Sequence, residues 1–172
     1  MTLQLVDTPK AFIPDETNTR LLRDAFGHFA TGVTIVTAAF EGKTVAITAN
    51  SFSSVSLSPP LVLWSPDKNS RRFSYFEKAE HYAIHVLSAD QDELCWKVAK
   101  DIGGLNELNL AVNSDGVPIL DGCLARFECE RKAIYDGGDH AIVLGQVTRA
   151  VMGEGREALT FFKGRMGRIA AN

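Results

Sequence analysis

The chain has 172 residues, 45% hydrophobic and 23% charged, with 18 Lys and Arg against 21 Asp and Glu for a formal net charge of −3. That length suits one compact unit, and no apolar run approaches the roughly 20 residues that a membrane span needs. A net negative chain has no general attraction for nucleic-acid phosphates, so neither nucleic acid nor membrane is an expected partner.

Residues 1–16 read as a flexible start and residues 17–172 as one folded domain. No basic segment followed by an apolar run opens the chain, and Cys95, Cys123 and Cys129 form no close pair, so a cytoplasmic protein with reduced thiols is expected. Asn18 and Thr19 can cap a helix carrying Leu22, Ala25, Phe26 and Phe29 at helical spacing, with Gly32 as its predicted end. Val33 to Thr37 is β-branched, Glu41-Gly42 supplies a turn, and Val45, Ile47 and Ala49 alternate with Thr44, Ala46 and Thr48, which predicts a hairpin. The serine-rich stretch from Asn50 to Ser58, stopped by Pro59-Pro60, reads as a loop, and Leu61 to Trp64 as a short buried strand.

Further on, Ser70 to Ala79 predicts a short helix and His81 to Leu87 a strand. Ser88 with Gln91 forms a capping box that opens a helix running to about Lys100. Residues 102–122 predict an irregular connection touching the core through Val117, Ile119 and Leu120. Then Cys123, Ala125, Phe127 and Cys129 alternate with Arg126, Glu128, Glu130 and Lys132, as in a strand with one wet face. Asp136-Gly137-Gly138-Asp139 tolerates positive φ and joins that strand to a second one from Ala141 to Val151. Many short strands, few helices and no βαβ alternation favour an antiparallel barrel over a doubly wound sheet.

The chain carries no G-x-S-x-G, no phosphate loop, no G-x-G-x-x-G and no His-Glu-x-x-His. Its histidines, His28, His81, His85 and His140, are dispersed, so no metal site is expected. Three segments remain. Thr48-Ala49-Asn50-Ser51-Phe52-Ser53-Ser54-Val55-Ser56 gathers amides and hydroxyls suited to the polar edge of a flat heterocycle, or is merely a serine-rich connection. Ser65-Pro66-Asp67-Lys68-Asn69-Ser70-Arg71-Arg72, before a helix, suits a phosphate, or is a capped helix with a solvated basic first turn. Gly138-Asp139-His140 sets an imidazole beside a carboxylate on a tight turn, where it can hydrogen-bond a substrate amide or simply begin a strand.

Taken in this order, with Phe29-Ala30-Thr31-Gly32-Val33-Thr34 before them, Ser58-Pro59-Pro60 between them and Gly164-Arg165 after them, the segments resemble the flavin reductase family with the FMN-binding split-barrel fold. That family supplies reduced flavin to two-component monooxygenases such as 4-hydroxyphenylacetate hydroxylase. The resemblance implies a mainly β protein, a six-stranded antiparallel Greek-key split barrel with flanking helices, working as a homodimer beside a separate oxygenase. It implies FMN or FAD as flavin and NADH or NADPH as hydride donor.

It further places the flavin ring against Thr48, Ala49, Asn50 and Ser51 with Phe52, and the ribityl chain and phosphate along Ser54, Val55, Ser56, Lys68, Ser70, Arg71 and Arg72. The nicotinamide would meet Gly138, Asp139 and His140, with His140 as the catalytic residue and Arg165 nearby. Met166 stands where the family commonly has an aromatic. Alternative functions within the same fold are a reductase of ferric iron or corrin cobalt, and a flavin- or haem-binding protein without turnover.

Overall fold

The structure, a computed structural model, describes residues 11–101, 103–154 and 157–170. Residues 1–10 of the expected flexible start and Ile102 of the expected irregular connection lie outside the described residues. Helix α1 (Thr19–Phe26) stops at Gly27, whose N–H reaches the Arg23 carbonyl, and not at Gly32. Phe29 falls beyond it, and Thr31–Gly32 form strand β1, paired with Thr160 and Phe161. A partner so distant in sequence leaves no local trace in the spacing of Leu22, Ala25, Phe26 and Phe29, which is why that spacing overruns the helix.

Strands β2 (Thr34–Phe40) and β3 (Lys43–Ala49) make the expected hairpin. Glu41 (φ 50°) and Gly42 (φ 73°) both take left-handed geometry at its turn, matching the twist of the flanking strands. The serine-rich stretch is not all loop: Ser53–Leu57 form β4, an edge strand hydrogen-bonded to β5 (Pro60–Trp64). An edge strand needs a ladder on one side only, so its small polar side chains and the prolines at its end are tolerated. Helix α2 (Phe73–Lys78), strand β6 (His81–Val86) and helix α3 (Asp92–Lys100) follow, α3 preceded by a 3₁₀ turn that carries the Ser88–Gln91 capping box.

The connection after α3 contains two short paired strands, β7 (Ala111–Val112) and β8 (Pro118–Ile119), and buries Val117 and Leu120. Strands β9 (Ala125–Gly137) and β10 (His140–Met152) form the long hairpin, and β11 (Ala158–Phe162) pairs with β12 (Arg165–Ile169).

Every strand pairing is antiparallel, and the principal sheet has seven strands in the order β3-β2-β6-β9-β10-β5-β4. It coils without closing: among the described residues no ladder joins β3 to β4. Its inner face nonetheless encloses a single core in which Val45 and Ile47 of β3 join Val62 and Trp64 of β5, with Phe76, Tyr82, Cys129 and Val143 between them. Burial pushes the Cys129 thiol up to about 12 and raises the Tyr82 hydroxyl well above its ordinary value. A second core on the outer face packs Ile35, Leu87 and Leu159 against Cys95 and Val98 of α3.

The outer face of β9 is not uniformly wet. Glu128 is 2% exposed, paired with Arg126 at 3.1 Å and accepting a bond from the Asn113 side chain at 2.9 Å. The segment 111–120 covers it, and His85 beneath that segment donates from Nδ1 to Ile35 O (3.0 Å) and accepts at Nε2 from the Leu120 N–H (3.1 Å). A charged residue in a period-2 pattern signals the second face; it does not signal whether another segment lies over it.

Candidate functional site

The three segments singled out in the sequence meet at one end of the sheet through backbone contacts. At the end of β3, the Ser51 hydroxyl accepts the Ser65 N–H at 2.9 Å and donates to the Ser65 carbonyl at 3.2 Å, tying the first segment to the second. The second segment joins the third as a short sheet extension: Ala141 N–H donates to Pro66 O (3.0 Å), Lys68 N–H donates to Asp139 O (3.0 Å), and Asp67 bridges His140. Gly138 takes φ 78° at the turn of the β9–β10 hairpin, a geometry that costs glycine nothing.

Side chains reinforce this frame. Lys68 Nζ donates to Asp136 Oδ1 and, at 2.7 Å, to the Gly138 carbonyl, so its charge is balanced inside the site, and the Asp136 carboxyl is held below its ordinary value. Asp67 Oδ1 accepts the Asn69 N–H at 2.7 Å and shapes the turn. His140 Nδ1 donates to Asp139 Oδ1 at 2.8 Å, which leaves Nε2 pointing elsewhere on a half-exposed ring. That bond, with the nearby imidazole, holds the Asp139 carboxyl below the usual carboxylate range.

The two neighbouring arginines part company. Arg72 turns inward and donates to Val98 O at the end of α3 at 2.6 Å, and its Nε is buried without a partner. Desolvation lowers its affinity for the proton, with the Arg71 charge acting the same way. Arg71 is exposed, and Ser70 Oγ accepts the Arg72 N–H at 3.2 Å. The expected basic cluster is therefore one exposed cation, one paired cation and one strut to α3.

Helix α3 closes the circuit. Thr48 Oγ1 donates to Cys95 O at 2.9 Å, so α3 is held from both sides, by Thr48 and by Arg72. Between the end of β3 with Asn50 and α3 lies a largely apolar cleft of about 170 Å³, walled by Thr48, Ala49, Asn50, Trp96, Phe161 and Met166. Sequence reasoning missed Trp96, Ala99 and Phe161; a tryptophan next to Lys97 in the predicted amphipathic helix was the available signal, and the structure leaves it 44% exposed.

The remaining expected site residues are placed as follows. Phe52 faces the core, stacked on Phe127 with centroids 5.6 Å apart, and not the cleft. Ser54 and Val55 are exposed and Ser56 is half-buried on β4, with a bulge between Ser54 and Ser56. Arg165 pairs with Phe162 across the β11–β12 turn, while Phe161 pairs with Met166. Strand alternation therefore sets Arg165 on the face opposite the cleft-lining pair. Among the described residues no group of three His, Cys, Asp or Glu side chains is arranged to hold a metal ion. Nor is any described helix long and apolar enough to cross a membrane.

Comparison with known proteins gives a consistent result. The family described as "Flavin reductase like domain" matches residues 26–170. FMN reductase (NADH) SmoA of Agrobacterium fabrum is 48% identical over 159 residues, covering 92% of this chain and 91% of that protein. The structure of the NADH:FAD oxidoreductase SgcE6 of Streptomyces globisporus, in complex with NAD and FAD fragments, superposes with a TM-score of 0.84 at 36% identity, covering 93% of this chain and 98% of that one. BorF, the flavin reductase component of a bacterial two-component tryptophan halogenase, superposes with a TM-score of 0.82 at 34% identity over 90% of this chain and 99% of its own.

Proposed function

Because the chain belongs to the flavin reductase-like family, we propose that it is an NAD(P)H:flavin oxidoreductase, acting through residues 17–172, that passes reduced flavin to a separate oxygenase component. The observation that carries this reading is that three sequence-distant segments are joined by hydrogen bonds to one another and to α3, and that the first of them walls a largely apolar cleft against α3.

The donor set fits a flavin. The slot between Trp96, Met166 and the end of β3 is largely apolar, and Asn50 supplies an exposed amide to its lining. At about 170 Å³ it is smaller than the few hundred Å³ usual for a ligand pocket, so it seats part of the ring system and leaves the ribityl chain to run past Ser54, Ser56, Ser70 and Arg71. A groove this incomplete on one chain supports a homodimer whose partner finishes it.

A bound flavin supplies the hydride acceptor for the nicotinamide C4 hydride. The chain's own task is then positioning. Asn50 and the Ala49–Asn50 backbone fix the ring edge, and Thr48 and Arg72 lock α3 as one wall. His140, with Nδ1 committed to Asp139, presents Nε2 to the carboxamide of the donor. No nucleophile and no proton transfer to the nicotinamide is needed. FMN and FAD both suit a groove that leaves the adenylate end in solvent, and NADH is the donor named for SmoA and SgcE6.

The test is anaerobic stopped-flow mixing of the protein with FMN or FAD against NADH or NADPH. Prompt bleaching of the visible flavin band, faster than in the protein-free mixture, is the expected result. A flavin that binds but stays oxidised with both donors would make the protein a carrier and overturn the proposal.

A further inference from the structure

The segment 111–120 lies over the outer face of the sheet and is fastened to it through side chains. Its backbone bonds close on the segment itself: β7 pairs with β8, and Asn113 Oδ1 accepts the Asp115 N–H at 3.0 Å and the Val117 N–H at 2.9 Å. Among the described residues no main-chain ladder joins β7 or β8 to the principal sheet. The ties downward are Thr37 Oγ1 to the Pro118 carbonyl at 2.6 Å, Asn113 Nδ2 to Glu128 Oε2 at 2.9 Å, and the Leu120 N–H to His85 Nε2 at 3.1 Å. A unit closed on itself can lift without breaking a ladder.

His85 is fully buried on β6, and both its ring nitrogens meet backbone groups of fixed polarity. The Leu120 N–H can only donate, so Nε2 accepts, and Nδ1 carries the proton given to Ile35 O at 3.0 Å. A second proton would sit on Nε2 and set two donors against each other, which removes the bond and leaves a buried N–H without an acceptor. The new charge would also be uncompensated. Strand β2 carries no ionisable side chain, and on β9 Arg126 stands opposite His85 with its charge already balanced by Glu128 at 3.1 Å. Burial accordingly pushes the proton affinity of the ring down to about 4. The segment's own Asp115 is exposed and lies 3.8 Å from His81 Nδ1, a contact that acid can only tighten, so it opposes release. On α3, Glu93, Lys97 and Lys100 are exposed, and Asp92 bonds the Glu93 N–H; Asp121 is exposed beyond the segment's end.

Leu120, whose N–H meets His85, is 3% exposed and belongs to the outer core together with Ile35, Leu105 and the Cys95 and Val98 side chains of α3. We propose that His85 is a proton-operated latch: its protonation releases segment 111–120 from the sheet as a unit, withdraws Leu120 from the core on which α3 rests, and so slackens the α3 wall of the cleft. The release is a property of the fold and holds whatever the cleft binds; its effect on ligand affinity rests on the flavin reductase reading.

Hydrogen exchange of the full chain, followed peptide by peptide and corrected for the intrinsic pH dependence of exchange, tests the latch at pH about 7.5 and about 5. With a proton affinity of about 4 when closed and the ordinary 6.5 when open, opening should become roughly thirtyfold more frequent at the lower pH. Protection of residues 113–120 should fall by that factor while β9 keeps its own, and α3 should follow with a smaller loss. His85→Gln keeps an amide donor for Ile35 O and a carbonyl for the Leu120 N–H but cannot ionise, so its segment should stay protected at pH about 5. Thr37→Val removes a tie that does not titrate, so it should raise opening at both pH values and leave the thirtyfold ratio intact. Riboflavin, which has no phosphate to titrate, should bind the wild type more weakly at pH about 5 and His85→Gln equally at both. Protection lost only together with β9, lost equally in His85→Gln, or unmoved by Thr37→Val overturns the latch. A segment that opens while α3 keeps its protection overturns the link to the cleft. A wild type that binds neither FMN nor riboflavin at pH about 7.5 overturns the flavin reading and leaves the exchange result standing.

Discussion

Arg71 and Arg72 are adjacent in sequence and opposite in role, and substituting each separately makes that difference measurable. The Arg72 guanidinium donates to Val98 O at 2.6 Å at the C-terminal end of α3. A hydrogen bond from a charged group contributes about 1.5–3 kcal/mol, and a cation at a helix C-terminus about 0.3–1 kcal/mol. Partial exposure favours the low ends of both ranges, and deletion also removes the partnerless Nε, so Arg72→Ala should cost about 1–2 kcal/mol. For a chain of this size that lowers Tm by roughly 2–8 °C. Because Arg72 props the α3 wall of the slot, FMN and riboflavin, which lacks the phosphate, should lose affinity together. Arg71→Ala should leave Tm unchanged and raise the Kd for FMN roughly tenfold with little change for riboflavin. Differential scanning fluorimetry and flavin fluorescence titration read the two quantities. If Arg72→Ala keeps its Tm and weakens FMN selectively, Arg72 is the phosphate ligand and the reasoning fails.

Other consequences follow from the same geometry. His140→Ala should lower kcat/KM for NADH roughly ten- to a hundredfold while leaving flavin affinity intact, and His140→Asn should recover much of the loss if the ring acts by orientation; steady-state kinetics with a parallel flavin titration decides. Asn50→Asp should raise the Kd for FMN, because an amide donor beside the ring's carbonyl edge becomes a charged acceptor; unchanged affinity would move the ring elsewhere. His85 has its proton affinity pushed down to about 4 by burial, so it is neutral when folded and charged when unfolded in acid. Its contribution to stability is present above pH about 6.5 and falls by up to about 1.4 kcal/mol per unit on descent to about 4, a slope that urea midpoints should show and that His85→Gln should abolish. Sedimentation should give twice the 18.8 kDa chain mass; a monomer that binds flavin tightly would contradict the shared groove.

Strong local signals read true from sequence. The β2–β3 turn at Glu41-Gly42, the Ser88–Gln91 capping box and the Gly138 hairpin are each decided within a few residues, where backbone sterics and capping dominate. Features decided by distant partners did not. β1 exists because Thr160 and Phe161 lie beside it, and β4 because β5 offers it an edge. Glu128 is buried because residues 111–120 fold over it, with Asn113 reaching its carboxylate and His85 fastening Leu120. No periodicity within β9 encodes that cover.

The same division runs through the candidate site. Residue types told which segments matter, since hydroxyls, cations and a turn histidine are the groups a nucleotide-like ligand needs. They could not tell which groups the fold consumes. Thr48 is engaged by Cys95, Ser51 by Ser65, Lys68 by Asp136 and Gly138, and Arg72 by Val98, all within the chain. Each of these bonds joins one wall of the groove to another, so the polar residues nearest the ligand in sequence act mainly as its frame. That leaves Asn50, Ser70, Arg71 and the His140 Nε2 as the groups with capacity to meet a ligand. A frame of committed hydrogen bonds around a few uncommitted ones holds the walls at fixed separation before any ligand arrives, so binding spends little on ordering them. Ring placement should therefore respond far more steeply to loss of the Thr48 or Ser51 bonds than to loss of the exposed Ser54 hydroxyl. Thr48→Val removes the tie to α3 while keeping the side-chain shape, and it should weaken FMN and riboflavin alike; Ser54→Ala should change neither.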